Sequence, residues 1–432
     1  MVQIIESNEE KKAFLETLEI RGSMDTGEYA EAVKKIVEDV RLNGDQALLK
    51  YTNQWDCGSI TLENLKVKKE ELKKAYDSLD EKLKEAMTLS RDRVEAFHQK
   101  QKQNTWIDIN ENGEILGQRV IPIEKVGVYV PGGKAAYPST VLMNIMPAKV
   151  AGVKKIVMAT PALKDGSVKE EVLAAAYLAG VDEVYKIGGA QAVAALAFGT
   201  ETIPKVDKIV GPGNIYVALA KREVYGYVNI DSIAGPSEIL IIADSTANPT
   251  YVAADFLSQA EHDELASAVL ITTDKELAIK VQEEIERFCK ELPRKEIIAA
   301  SLSKYCRIII EETLEKACVL SNTIAPEHLE LSVADPFNLL ASITHAGAVF
   351  LGHYTPESVG DYVAGPSHVL PTSGTARFFS PLGVDDFVKK SSLLSFTKES
   401  LMKVADQTIR IAESEGLFAH ALSVKVRQND IK

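Results

Sequence analysis

Apolar residues recur at helical spacing through the first hundred positions. Glu9–Leu18 and Tyr29–Val40 each predict a helix. Lys68–Lys102 predicts one long amphipathic stretch, with Leu72, Tyr76, Leu79, Leu83, Met87 and Val94 near one face. Its charge runs, Lys68–Lys74 and Asp80–Glu85, read as a solvated face. Near Lys125 the pattern changes. Short apolar runs at Val126–Val130, Lys155–Ala159, Glu183–Ile187, Lys208–Val210 and Tyr227–Ile230 predict strands. Helical segments at Ser139–Ala151, Lys169–Ala179, Ala190–Ala197 and Ile215–Tyr225 fall between them. Such alternation implies a mostly parallel sheet with helices on both faces.

A second alternating region follows. Glu238–Ala243 predicts a strand, and Asn248-Pro249 supplies an N-cap and a first-turn proline for a helix running to about His262. Ala268–Thr272, Cys306–Ile310 and Ala348–Leu351 predict further strands, with helices at Lys275–Glu291 and Leu314–Asn322. The tail from about Pro381 predicts one strand, Ser392–Phe396, and two helices. The expected fold class is α/β with mostly parallel sheets.

Composition narrows the field. At 432 residues and 46% hydrophobic content, the chain suits two to four domains. Lys and Arg total 49 against 62 Asp and Glu, a net charge of −13, which argues against nucleic-acid binding. The four cysteines (Cys57, Cys289, Cys306, Cys318) form no CxxC pair, so a reducing, cytoplasmic setting is expected. The start, MVQIIESNEEKKAF, lacks the pattern of a signal peptide, and no apolar run reaches the ~18–20 residues of a membrane span.

Several short motifs could carry chemistry. Gly211-Pro-Gly213-Asn-Ile-Tyr216 follows a strand and opens a helix, but Tyr216 stands where a dinucleotide fingerprint needs its third glycine. Gly127…Gly132-Gly133-Lys134 resembles a phosphate loop with the wrong spacing, and Ala135 replaces Ser or Thr. Each reads equally well as a plain turn, though both sit at strand ends, where open α/β sheets bind ligands. Gln259 and His262 are three apart on a helix and share a face, so they could hold one metal ion; a capping histidine and a surface glutamine are the alternative. Glu327-His328 places a carboxylate beside an imidazole at a strand edge, fit for proton transfer, or is ordinary loop polarity. Asp361 is a turn residue or an oxygen ligand. Glu415 and His420 flank a glycine between two helices, and are either site groups or surface groups. Together, Gln259, His262, Asp361 and His420 would offer two imidazole nitrogens and two oxygens, a donor set that suits an open Zn²⁺ site.

Eight blocks are familiar as a set: VGVYVPGGKAAYPSTVLMN (126–144), IGGAQAVAALAFGT (187–200), KIVGPGN (208–214), AGPSEILIIAD (234–244), DFLSQAEHD (255–263), APEHLEL (325–331), VGDYVAGPSHVLPTSGTAR (359–377) and EGLFAH (415–420). In this order they closely resemble the histidinol dehydrogenase family, with no departure at the motif positions. The resemblance implies a zinc-dependent enzyme that oxidises L-histidinol to L-histidine, the last step of histidine biosynthesis. It would reduce two NAD⁺ and retain the intermediate aldehyde. Gln259, His262, Asp361 and His420 match the zinc ligands, one ion per subunit. Glu327 and His328 match the acid–base pair. Ser237, His328, Glu415 and the zinc ligands match substrate contacts, and Tyr129, Gln191 and Asn214 match NAD contacts. The family fold implies two incomplete Rossmann-like domains, 26–124 with 237–380 and 125–236. An N-terminal helical arm, 1–25, and a C-terminal unit, 381–432, complete it. It also implies a homodimer whose C-terminal unit reaches into the partner's site, so that Glu415 and His420 act in trans. A zinc hydrolase using Glu327 as general base, and a non-catalytic metabolite-binding protein, are the alternatives.

Overall fold

A computed structural model describes residues 2–22, 27–132 and 136–429. Gly133, Lys134 and Ala135 of the loop discussed above, and the expected boundary at 25–26, lie outside the described residues. Among those described, the strands in chain order are β1 (Gln3–Ile5), β2 (Lys66–Val67), β3 (Trp106–Ile109), β4 (Ile115–Pro122), β5 (Lys125–Tyr129), β6 (Lys155–Thr160), β7 (Glu183–Lys186), β8 (Lys208–Val210), β9 (Asn229–Ile230), β10 (Glu238–Ala243), β11 (Ser267–Thr272), β12 (Arg307–Ile310), β13 (His328–Ser332), β14 (Ala348–Leu351) and β15 (Val388–Ser395).

Contacts divide the chain into two units. The larger joins Met1–Gln101 to Ile123–Phe387, and the smaller joins Lys102–Pro122 to Val388–Lys432. The larger unit holds two six-stranded sheets. In the first, β5 to β9 run parallel in the spatial order β7-β6-β5-β8-β9, and β2 adds an antiparallel edge beside β7. In the second, β10 to β14 repeat that plan as β12-β11-β10-β13-β14, with β1 added in parallel beside β12. Each sheet therefore reverses its strand order at one place, between β5 and β8 and between β10 and β13.

Both sheets are apolar on both faces, as parallel sheets covered by helices must be. Along β10, Ile239, Ile241 and Ala243 enter one core while Leu240 and Ile242 enter the opposite one. Along β6, Ile156 and Met158 face one side and Val157 and Ala159 the other. These side chains are fully or almost fully buried.

The single long helix expected over Lys68–Lys102 is two helices, Lys69–Ser78 and Glu81–Gln99. The reason is local: the Asp80 carboxylate accepts the Leu83 N–H and starts a new helix. The smaller unit contains an antiparallel sheet of β3, β4 and β15, followed by helices Lys398–Ser414 and Phe418–Asn429. The β3–β4 hairpin thus pairs with the tail, about which its own sequence is silent. No helix among the described residues is long and apolar enough to cross a membrane.

Candidate active site

The second sheet builds a polar cluster at the starting ends of its neighbouring strands β10 and β13. Glu238 opens β10 and His328 opens β13, and Ile239 stands in register with His328. Ser237 lies one residue before β10. Glu327 immediately precedes β13 and is 8% exposed, and its Oε2 accepts the backbone N–H of Glu238 at 2.9 Å. The His328 ring, 3% exposed, sets Nδ1 at 2.9 Å from the carbonyl oxygen of Glu238.

Two other segments reach the same edge. Helix Pro249–Ala260 follows β10 and runs back across the sheet, so its C-terminal end returns to where β10 began. That end carries Gln259, which is buried, and then His262, whose N–H bonds the Gln259 carbonyl. After β14, a short helical turn at Glu357–Val359 passes into a π-helical turn at Gly360–Ala364, which bears Asp361. Gly360 permits this approach, because a Cβ there would lie 2.5 Å from the Phe350 ring. Asp361 Oδ1 comes to 3.5 Å from His328 Nε2, and Glu357 Oε1 to 3.9 Å.

The electrostatics follow from this crowding. Burial pushes the Glu327 carboxyl up to about 8. Burial opposes charge on the His328 ring, yet the carboxylates of Glu327, Asp361 and Glu357 together overcome it and raise the ring to about 10. Behind them, burial raises Glu357 to about 7 and Asp255 to about 6, and raises Glu330 as well. The His262 ring faces a cavity of about 470 Å³ that Arg294, Tyr362, Ser90 and Ser139 also line, and burial lowers its pKa.

This excess of buried carboxylates around one imidazole is an environment for a cation. Ligand atoms of His328, Glu357 and Asp361 lie within 4.8 Å of one another. The Gln259 Oε1 and His328 Nε2 atoms are buried and have no hydrogen-bond partner among the described residues. An orphaned amide oxygen costs roughly 1–3 kcal/mol unless something meets it, and a divalent ion does so. Glu357 was not singled out in the sequence. Its spacing of four from Asp361 was the available signal. Glu330 shares a strand face with His328, two residues away, which was the signal for it. His262 is not part of the close group of three, although Asp361 acts on it electrostatically. Glu415 and His420 belong to the smaller unit: Glu415 caps helix Lys398–Ser414, and His420 lies in the first turn of Phe418–Asn429.

A second set gathers at the finishing ends of the first sheet. Tyr129 ends β5 and its hydroxyl oxygen accepts the Gly189 N–H at 3.1 Å. Gln191 is buried in helix Gly189–Phe198, with Nε2 at 3.3 Å from Asp56 and Oε1 unpaired among the described residues. Asn214 caps helix Ile215–Val224 through Oδ1. The turn before it depends on Gly211, whose φ is +110° and whose Cβ would fall 2.1 Å from the Tyr129 carbonyl oxygen. Buried Lys221 and Asp231 form an ion pair that grips this turn, the lysine on the Gly211 carbonyl and the aspartate on its N–H.

Comparison with known proteins agrees with this architecture. The family model described as histidinol dehydrogenase matches residues 19–428. A histidinol dehydrogenase of Clostridium acetobutylicum is 54% identical over 414 residues, covering 96% of each chain. One from Aquifex aeolicus is 56% identical over 416 residues, again covering 96% of each. The crystal structure of histidinol dehydrogenase from Elizabethkingia anophelis matches with a TM-score of 0.93 at 38% identity, over 100% of this chain and 98% of that one.

Proposed function

Since the chain belongs to the histidinol dehydrogenase family and is an oxidoreductase, we propose that it oxidises L-histidinol to L-histidine with NAD⁺ at the cluster around His328. The observation that carries this reading is the Glu327–His328 pair, buried at a strand start beside an orphaned Gln259 oxygen.

The donors present fit a zinc ion: Gln259, His262 and Asp361 on this chain, with His420 supplied by the partner subunit of a homodimer. When bound, the ion supplies a Lewis-acidic anchor for the imidazole and amine of the substrate, and the charge that balances the surrounding carboxylates. The glycine turns and the unpaired Gln191 oxygen at the ends of β5, β7 and β8 fit NAD, which supplies the hydride acceptor for each of two oxidations.

The protein's own groups do the rest. With the bound ion offsetting the carboxylates that otherwise keep its ring protonated, His328, its Nδ1 tied to Glu238, presents a free Nε2 to the alcohol and takes its proton in the first oxidation. Glu327 then takes a proton from water as it adds to the aldehyde while His328 returns its own proton to the aldehyde oxygen, and the freed ring accepts a hydroxyl proton of the hydrate in the second. Two hydrides leave in all and three protons are released, one from the carboxylic acid formed. Ser237, beside Glu238, and Glu415 of the partner subunit contact the substrate. None of the four cysteines lies in this cluster: Cys306 is buried beside Ser301, and burial pushes its thiol up to about 11. The route is therefore hydration rather than a thioester. The cytoplasm, where NAD⁺ is plentiful and thiols stay reduced, suits this chemistry.

The test is NADH formation from L-histidinol before and after chelation. Two NADH per histidine, lost on chelation and restored by Zn²⁺, is the expected result. Amide hydrolysis without NADH would overturn it in favour of a hydrolase.

A further inference from the structure

One residue holds both members of the acid–base pair from behind. The backbone N–H of Glu238 donates to Glu327 Oε2 at 2.9 Å, and its backbone carbonyl lies 2.9 Å from His328 Nδ1. A carbonyl only accepts, so Nδ1 carries a proton, and in the neutral ring that proton transfer requires, Nε2 is the open nitrogen. Nε2 is buried and has no hydrogen-bond partner among the described residues.

The Glu238 side chain has no part in the proton transfers, yet it is itself fixed. Its carboxylate pairs with the Arg21 guanidinium and accepts the Ser373 N–H at 3.1 Å. The Arg21 and Glu238 side chains are only 2% and 6% exposed. Arg21 Nη1 donates to the Leu265 carbonyl at 2.7 Å, three residues beyond His262, and its guanidinium lies over the Tyr305 ring at 5.9 Å. So one cation from helix Asn8–Gly22 ties the start of β10 to the loop that follows Gln259 and His262. A buried ion pair is a poor source of stability, because desolvation consumes most of the attraction. What it does supply is a fixed position.

We propose that Arg21 and Glu238 are positioning residues: the pair pins the first residue of β10 so that its two backbone groups set the orientation of Glu327 and the tautomer of His328. This rests on the reading above that Glu327 and His328 carry the proton transfers.

The experiment uses the zinc-loaded full-length enzyme with Glu238→Gln and, separately, Arg21→Lys. Steady-state kinetics are measured with L-histidinol, and the ¹⁵N spectrum of histidine-labelled protein reports the His328 tautomer. For Glu238→Gln, kcat is expected to fall about 10- to 100-fold, the scale of a small misplacement of reacting groups, while KM stays within about twofold. The His328 nitrogens are expected to show both tautomers. Arg21→Lys keeps the charge but loses the fork, and is expected to lose less kcat while showing the same mixing. Should Glu238→Gln not fold, Arg21→Lys decides alone. Wild-type kcat with His328 still protonated on Nδ1, whatever happens to the melting temperature, would overturn the proposal. Glu327→Gln run alongside separates the two ideas: full turnover there refutes the catalytic reading, whereas full turnover confined to the Arg21 and Glu238 variants refutes this one.

Discussion

Among the described residues Glu327 is tied through one of its two oxygens: Oε2 takes the Glu238 N–H at 2.9 Å and lies 3.7 Å from His328 Nδ1. An amide in its place can keep that bond through its oxygen while losing the ability to accept a proton. Glu327→Gln should therefore fold and bind zinc normally, yet lose the aldehyde-to-acid half-reaction by about 10²–10⁴-fold. The alcohol-to-aldehyde half should suffer less. Separate assays starting from histidinol and from its aldehyde read this directly, and equal losses in both halves with zinc bound would refute the division of roles.

Zinc supply can be tested by subunit mixing. His262→Asn should retain its fold and lose most of its metal, since a catalytic ion loosely tied to the core need not hold that core together. His420→Asn should behave alike. If His420 serves the partner's site, a random mixture of the two inactive proteins regains about one quarter of wild-type activity, because half the dimers are mixed and each has one intact site. Metal analysis and NADH rate on the exchanged mixture give the answer. No recovery after proven exchange places the site within one chain.

Gly211→Ala probes the NAD side. The new methyl group would meet the Tyr129 carbonyl, and the backbone there is in a region that side chains resist. We expect a loss of about 1–3 kcal/mol in stability and a raised KM for NAD⁺ with a smaller effect on KM for histidinol. Urea titration and paired KM measurements check both parts.

Asp56 gives a pH signature away from the metal. Burial raises its carboxyl to about 6, against about 3.9 in an unfolded chain. A raised acid favours the fold while protonated, so its contribution is complete below about pH 4 and lost as pH climbs through 6. Asp56→Asn should match wild type at pH 4 and exceed it by roughly 2 kcal/mol at pH 8. Equal stability at both values would remove Asp56 as the cause.

The sequence made the two parallel sheets legible because their strands are continuous apolar runs and their helices carry ordinary caps. Helix Pro249–Ala260 announces itself through Asn248 and Pro249. The residue pair Glu327-His328 is legible because its members are adjacent. Arg21 and Glu238 are not: 217 positions separate them, and each alone reads as an ordinary helix or strand residue. The β3–β4 hairpin escapes for the same reason, since β15 completes its sheet from almost 270 residues away (Val388 against Pro122). Asp80 marks the break as a capping residue, but the apolar stripe that runs on from Leu72 to Val94 masks it.

The edge strand β1 has a consequence for how this protein comes into being. Gln3 pairs with Arg307, so β1 cannot be seated until β12 has been made. On the ribosome it must wait while some three hundred further residues emerge, and closing so long a loop is slow. Once made, β12 keeps an open margin, available to any other extended peptide, until β1 is seated on it. Assembly of the sheet that carries His328 is thus a late event in biosynthesis, and a chain halted near residue 300 would already hold every strand of its first sheet but lack β12, β13 and β14 of its second.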